Sequence, residues 1–140
     1  MAKAKDKIEF AIFTFSKSSG IDDQMALALR SGLTVRGALD ARQGVQPWAP
    51  YKTLKKLGAD LHLTQTHEAL GKLHHKLLII DRKVVITGSM NFTSPATTLN
   101  DENIVVIGKH NAKGEDLKAQ KAFAQYAAKE VDRIITTFCQ

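Results

Sequence analysis

The sequence predicts an α/β fold in which helices sandwich a mixed β-sheet. Three observations support this prediction: a buried strand at residues 8–15, a helix and a second strand directly after it, and a tight hairpin within residues 73–87. A strand–helix–strand unit pairs its strands in parallel through a right-handed crossover. A hairpin pairs its strands antiparallel. A sheet that combines both units is therefore mixed.

The first half of the chain supplies the parallel unit. Residues 8–15, IEFAIFTF, are β-branched and aromatic and nearly continuous in apolar side chains, which is typical of a strand buried on both faces. Residues 21–30 are predicted to be a helix, and residues 34–39 the second strand. The loop at residues 40–50 then leaves the carboxyl end of that strand, where open α/β sheets bind ligands.

Three residues of this loop have open interpretations. Asp40 and Arg42 border a substrate groove or form a salt bridge within the loop. Three roles are open for Trp48: its ring stacks on a nucleic-acid base, it inserts into a lipid surface, or it packs over the loop.

The second half of the chain supplies the hairpin and a long amphipathic helix, whose apolar residues recur at helical spacing. Few helices are available to cover two faces of a sheet. We therefore expect the chain to be part of a longer protein or to be completed by a second subunit. The predicted elements are a helix at 51–57, a strand at 60–63, hairpin strands at 73–80 and 84–87, an irregular segment at 91–100, a strand at 102–107 and a helix at 116–138.

Length and composition are those of an ordinary globular domain. The chain has 140 residues, of which 44% are hydrophobic and 24% charged, and its formal net charge is +6. That charge favours polyanionic partners such as nucleic acid or anionic lipid headgroups. The lone Cys139 excludes an internal disulfide and a cysteine-based zinc site.

The sequence gives no targeting signal. No apolar run reaches about 18 residues, so we expect no integral membrane segment. The N-terminus is a poor match to a signal peptide. The compartment therefore stays open, with the cytoplasm as the default.

Polar side chains gather at the ends of the hairpin strands. His74 and Lys76 are two residues apart, which on a strand places both on one face. Ser89 and Asn91 repeat that spacing beyond the hairpin, and Gly88 allows close backbone approach. Donors that converge on a histidine suit a tetrahedral oxyanion such as phosphate. The imidazole can attack the phosphorus of such a group directly.

A nucleophilic histidine needs its second nitrogen held by a carboxylate or a carbonyl. Glu102, at the head of the next predicted strand, is the preferred partner for His74. Asp81 follows His74 by seven residues and so lies roughly 20 Å away at the other end of the strand. We interpret Asp81 as a hairpin residue that caps the turn or pairs with Arg or Lys.

The stretch HHKLLIIDRKVVITGSMN resembles the signature of the phospholipase D superfamily, HxK(x)4D(x)6GSxN. Downstream, NDENIVVI resembles the family segment whose glutamate holds the nucleophilic histidine, and the opening strand–helix–strand unit is similar as well. Six fixed residues at this spacing rarely coincide by accident. Two features depart from the family: His75 neighbours the nucleophile, and the helix that usually precedes the first strand is absent. The fixed positions are His74, Lys76, Asp81, Gly88, Ser89 and Asn91.

The resemblance implies a single phospholipase D-like domain over residues 1–140, acting as a phosphodiesterase without metal or cofactor. One histidine forms a phosphohistidine, while a histidine from a second copy of the motif protonates the leaving oxygen and then activates water. The chain carries one motif, so the second copy comes from a homodimer or from another part of a longer chain. The implied catalytic residues are His74, Lys76, Asn91 and Glu102. The residues implied to bind phosphate or support the site are Gly88, Ser89 and Asp81.

The substrate class stays open between two phosphodiesters. Nucleic acid is preferred because the chain is small and basic and resembles single-motif bacterial nucleases of the superfamily. Phospholipid, in hydrolysis or transfer, is the alternative, and the lack of an amphipathic surface helix or lipidation motif argues weakly against it. A catalytically silent interaction module ranks third, because His74, Lys76 and Asn91 are all present.

Overall fold

The computed structural model of the chain describes residue 1 and residues 3–139. Within these residues, six strands form one mixed sheet in the order β3-β2-β1-β4-β5-β6. The strands are β1 (Lys7–Ile12), β2 (Thr34–Leu39), β3 (Asp60–Leu63), β4 (Lys76–Ile80), β5 (Val84–Gly88) and β6 (Ile104–Ile107). The helices are α1 (Ile21–Arg30), α2 (Ala41–Gly44), α3 (Tyr51–Lys56), α4 (Ser94–Thr98) and α5 (Gly114–Phe138).

The strand pairing confirms the predicted mixed sheet. β1, β2 and β3 pair in parallel, whereas β4 pairs antiparallel with β1, β5 with β4, and β6 with β5. One edge of the sheet therefore collects the carboxyl ends of β1, β2, β3 and β5 and the amino ends of β4 and β6. We call it the site edge. Its residues are Ile12, Leu39, Leu63, Lys76, Gly88 and Ile104.

Helices cover both faces of the sheet, as predicted. On one face, α5 buries Ala128 and Val131 against Ile79 of β4. On the other face, Met25 of α1 packs with the side chains of β1 and β2. Period-2 alternation along the strands sends neighbouring side chains into these two cores. Among the described residues, no helix has the length and apolar character needed to cross a membrane.

Three predicted strand boundaries at the site edge are wrong by two or three residues. β1 ends at Ile12 rather than at residue 15, β4 begins at Lys76 rather than at residue 73, and β6 begins at Ile104 rather than at residue 102. Beyond these ends the regular ladder gives way to isolated main-chain hydrogen bonds, such as that from the Phe13 N–H to the His75 carbonyl, and to hydrogen bonds with side chains. The Thr14 N–H donates to Asn91 Oδ1 at 3.3 Å, for example.

The β4–β5 turn explains Asp81. Asp81 and Arg82 have φ values of +53° and +48°, the left-handed conformation that a tight hairpin turn requires. The Asp81 carboxylate accepts the backbone N–H groups of Lys5, Asp6 and Lys7. It therefore fastens the segment before β1, and the predicted turn cap or cation pair does not form.

Candidate active site

His74 and Lys76 meet at the site edge in front of β4. The Lys76 Nζ lies 3.2 Å from His74 Nε2 and 3.2 Å from the His74 carbonyl oxygen. The imidazole also faces the ring of Phe13, with 4.9 Å between ring centroids. His74 lies two residues before Lys76, which is the first residue of β4, so only Lys76 belongs to the strand.

Two main-chain contacts hold the segment that carries His74. The buried carboxylate of Asp40 accepts the Leu73 N–H at 3.1 Å. On the other side, the Phe13 N–H donates to the His75 carbonyl at 2.9 Å. Asp40 also caps α2 through the N–H groups that follow it. The sequence analysis did not predict this positioning role of Asp40. The one sequence feature that indicates it is an acidic residue at the N-cap position after β2.

The charges at the site edge favour a neutral imidazole. The Lys76 ammonium lowers the pKa of His74; desolvation and Lys72 lower it further, while Asp40 opposes the change. Burial lowers the pKa of Lys76 as well. A neutral imidazole keeps the lone pair that nucleophilic attack needs.

Asn91 and Gly88 come to the same edge from the end of β5. Asn91 Oδ1 accepts the Thr14 N–H, which leaves its Nδ2 as a donor for an anion. At Gly88, an added Cβ would lie 2.2 Å from the Asn103 carbonyl oxygen. The close approach that the glycine permits is therefore to the chain entering β6.

Glu102 bonds elsewhere than predicted. Its carboxylate accepts hydrogen bonds from the Ser89 hydroxyl and from Asn100 Nδ2, at 3.2 Å for the latter. These two bonds, Ser89 first, lower the pKa of Glu102. Among the described residues it makes no hydrogen bond with His74, because β5 separates the β6 entry from β4. The predicted role of Glu102 as the partner of His74 stays a prediction, and Ser89 orients Glu102.

Two other predicted positions lie outside this cluster. Asp81 lies at the opposite end of β4 from His74, so it supports the fold and does not contact the site. His75 Nε2 lies 3.0 Å from Glu130 Oε1 on α5, and Arg133 binds the same carboxylate. His75 therefore contacts α5 and not the groups around His74.

A groove of about 490 Å³ runs past His74 and Lys76 to Gly88. A larger groove of about 580 Å³ lies between β6 and α5 near Phe123, away from these polar groups. Among the described residues, no three His, Cys, Asp or Glu side chains are grouped to hold a metal ion. The groove at His74 is therefore the candidate active site.

The fold and the motif are those of the phospholipase D superfamily, and comparison with family models assigns the chain to the same group. Residues 1–134 match the family model described as "Cardiolipin synthase, PLD-like domain". The chain belongs to this phospholipase D-like family. The resemblance that the sequence predicted is confirmed.

Two curated relatives have a lipid substrate in their names. The mitochondrial cardiolipin hydrolase of Mus musculus is 33% identical over 104 residues, which cover 74% of this chain and 45% of the relative. The phospholipase D of Rickettsia conorii is 32% identical over 112 residues, which cover 76% of this chain and 54% of the relative. The chain thus spans about half the length of these relatives.

Two solved structures share the fold. NucT from Helicobacter pylori superposes with a TM-score of 0.83 at 18% identity, over 99% of this chain and 84% of that one. Nuc from Salmonella typhimurium, a phospholipase D family member, superposes with a TM-score of 0.72 at 24% identity, over 95% of this chain and 82% of that one. The predicted phospholipase D-like fold is confirmed.

Proposed function

We propose that the chain carries half of a metal-independent phosphodiesterase site, which cleaves nucleic-acid phosphodiesters through a phosphohistidine. The observation that supports this most is the contact between an exposed imidazole and Lys76, with a lowered His74 pKa, at a solvent-open groove. A neutral nucleophile beside a fixed cation is what attack on an anionic phosphodiester requires.

The reaction takes two displacements. A lone pair of His74 attacks phosphorus, the bond to the leaving oxygen breaks, and that oxygen takes a proton from His74 of a second copy. The second histidine then removes a proton from water, whose oxygen displaces the first histidine and releases a phosphate monoester. Lys76 and Asn91 donate to the non-bridging oxygens throughout. Both histidines return to their starting protonation states.

Nucleic acid is the preferred substrate because cations extend beyond the reacting groups along the site edge. Lys72 precedes His74 and lowers the pKa values of both His74 and Lys76, which places its charge close to them. Arg42 lies on the neighbouring helix α2, and its Nη2 donates to the Gly71 carbonyl. Several cations in a row suit a chain of phosphates better than one isolated phosphate.

A phospholipid is the second candidate, and a specific observation favours it. Trp48 is 41% exposed and Leu99 is 82% exposed, and both belong to loops at the site edge. Apolar side chains around an active-site mouth can enter a lipid surface. The relatives named cardiolipin hydrolase and phospholipase D support the same alternative.

The test is hydrolysis of supercoiled DNA, RNA and cardiolipin vesicles, side by side and in excess chelator. We expect cleavage of nucleic acid to persist in chelator and to disappear in His74→Ala. Loss of all activity in chelator, with recovery when a divalent ion is added, would contradict the metal-independent mechanism. Cleavage of cardiolipin alone would replace nucleic acid with lipid as the substrate.

A further inference from the structure

A second, smaller groove adjoins the one at His74. It measures about 170 Å³, and its lining includes Arg42, Thr66 and Lys72. Lys72 and Leu70 line both grooves, so the two are continuous at Lys72. We propose that this groove is a subsite for the phosphate next to the scissile one in a nucleic-acid strand. The subsite rests on the proposed function and names the part of the substrate that it binds.

The charges that line the small groove favour an anion. Arg42 is 68% exposed, and its Nη2 donates to the Gly71 carbonyl at 2.6 Å. A guanidinium has five N–H donors, so this tether leaves others for a ligand. Asp40 supplies the groove's carboxylate, but its oxygens accept the main-chain N–H groups of Arg42, Gln43 and Leu73. Arg42 Nε also lies 3.9 Å from Asp40 Oδ1, and the side chains of Arg42 and Lys72 are the exposed cations of the groove.

Both lysines lie beside the ring of Phe13. The Lys72 Nζ lies 5.7 Å from the centroid of this ring, and the Lys76 Nζ lies 5.5 Å from the same centroid. Lys76 belongs with His74 at the scissile phosphate, whereas Lys72 also lines the smaller groove and can bind a second phosphate there. The partly exposed ring beside the two lysines offers a stacking surface for a nucleoside.

The rim of the small groove favours a nucleic-acid strand over a lipid surface. Gln65 and Thr66 are exposed and polar, and they line the groove together with Lys72. A lipid surface would need apolar side chains at this position. A strand with a phosphate at every step offers the second anion that two successive grooves require.

The test compares two soluble substrates of the wild-type protein and its variants, with cardiolipin vesicles as a lipid comparison. One is a single-stranded DNA oligonucleotide, and the other is bis(p-nitrophenyl) phosphate, a diester with one phosphate. Lys72→Ala and Arg42→Gln should each raise KM for the oligonucleotide roughly five-fold, and by more than they raise KM for the small diester. The slope of log affinity against log salt should fall by about 0.7 for each lost contact. The control is Lys121→Ala, the same charge change on the amino-terminal half of α5.

Four results would overturn the subsite. Oligonucleotide KM values that match those of Lys121→Ala would remove Lys72 and Arg42 from substrate binding. Equal rises in KM for both substrates would show that Lys72 acts only through His74 and Lys76. A larger rise for cardiolipin vesicles than for the oligonucleotide would make the ligand a lipid. If wild type cleaves neither oligonucleotide nor small diester, the proposed function fails and the subsite fails with it.

Discussion

At the scale of single residues, the reactivity of His74 depends on the cation beside it. The Lys76 ammonium is the largest cause of the lowered His74 pKa, because a second positive charge on the imidazole would lie 3.2 Å from it. The same lysine donates to the phosphate in the proposed reaction. One side chain therefore both keeps the nucleophile neutral and binds the group that it attacks.

We predict that His74 titrates below the ordinary histidine pKa of about 6.5. A cationic neighbour disfavours the protonated imidazole, so the proton leaves at lower pH. The rate should rise with pH through this lowered value, because the neutral form of one His74 attacks, and should fall again at higher pH, because the second His74 must carry the proton that it donates. NMR of the imidazole protons against pH measures it, and Lys76→Met should raise the midpoint while Lys83→Met should not. A midpoint at or above the ordinary value would contradict the assignment.

At the scale of elements, an ion pair ties the β4–β5 turn to β1. Glu9 on β1 is 3% exposed, and Arg82 of the turn binds its two oxygens at 2.8 and 2.7 Å. A buried carboxylate that loses its partner is strongly destabilising. Arg82 is 37% exposed, so solvent would compensate part of that loss.

We predict that Arg82→Met lowers the free energy of unfolding by about 2 kcal/mol, because it leaves the Glu9 carboxylate unpaired. Urea denaturation followed by circular dichroism measures the change. Lys83→Met, one residue along the turn, is the matched control and should stay within about 0.5 kcal/mol of wild type. The double variant Glu9→Gln with Arg82→Met should recover part of the loss. Equal free energies of unfolding for Arg82→Met and Lys83→Met would show that the Glu9–Arg82 ion pair does not stabilise the fold.

The element interiors could be predicted because each follows from local pattern: α1, β2 and β3 have the bounds that the sequence indicated. The ends of β1, β4 and β6 at the site edge could not be predicted. They depend on contacts between distant residues, such as Asp40 with Leu73, 33 positions apart, and Thr14 with Asn91, 77 positions apart. Propensity and periodicity do not report such contacts.

In the candidate active site, too, local sequence pattern predicted residues but not the contacts between distant parts of the chain. Motif spacing indicated His74 and Lys76, which the structure brings together. The contribution of Phe13 was not predictable, because its ring was interpreted as core and instead faces the imidazole. The hydrogen bond between Glu102 and Ser89 was not predictable either, and the role of Glu102 as the partner of His74 stays a prediction.

At the scale of the whole molecule, one motif supplies one histidine, whereas the proposed reaction uses two. The site edge is open to solvent at His74, so a second copy can approach it. Around a two-fold axis, each copy would present the same surface to the other. We propose that the two His74 edges meet in a homodimer or in two halves of a longer chain.

For a homodimer, we predict that equal amounts of wild type and His74→Ala, mixed with free exchange, leave about a quarter of the dimers fully active. Only wild-type pairs keep both histidines. Activity measured before and after subunit exchange gives the fraction, and wild type mixed with Lys121→Ala is the control. Analytical ultracentrifugation at assay concentration measures the oligomeric state. A fully active monomer would contradict the proposal that two copies of the motif are needed.

The measurement closest to the central claim is capture of the covalent intermediate. A labelled oligonucleotide is turned over briefly and quenched in alkali, and the nucleotide-bearing peptide is sequenced by fragmentation. His74 and His75 are adjacent, so His74→Ala and His75→Ala accompany the wild type. The account predicts a nucleotide attached through phosphorus to His74, absent from His74→Ala and retained in His75→Ala. Attachment to His75, or turnover by His74→Ala at the wild-type rate, would contradict it.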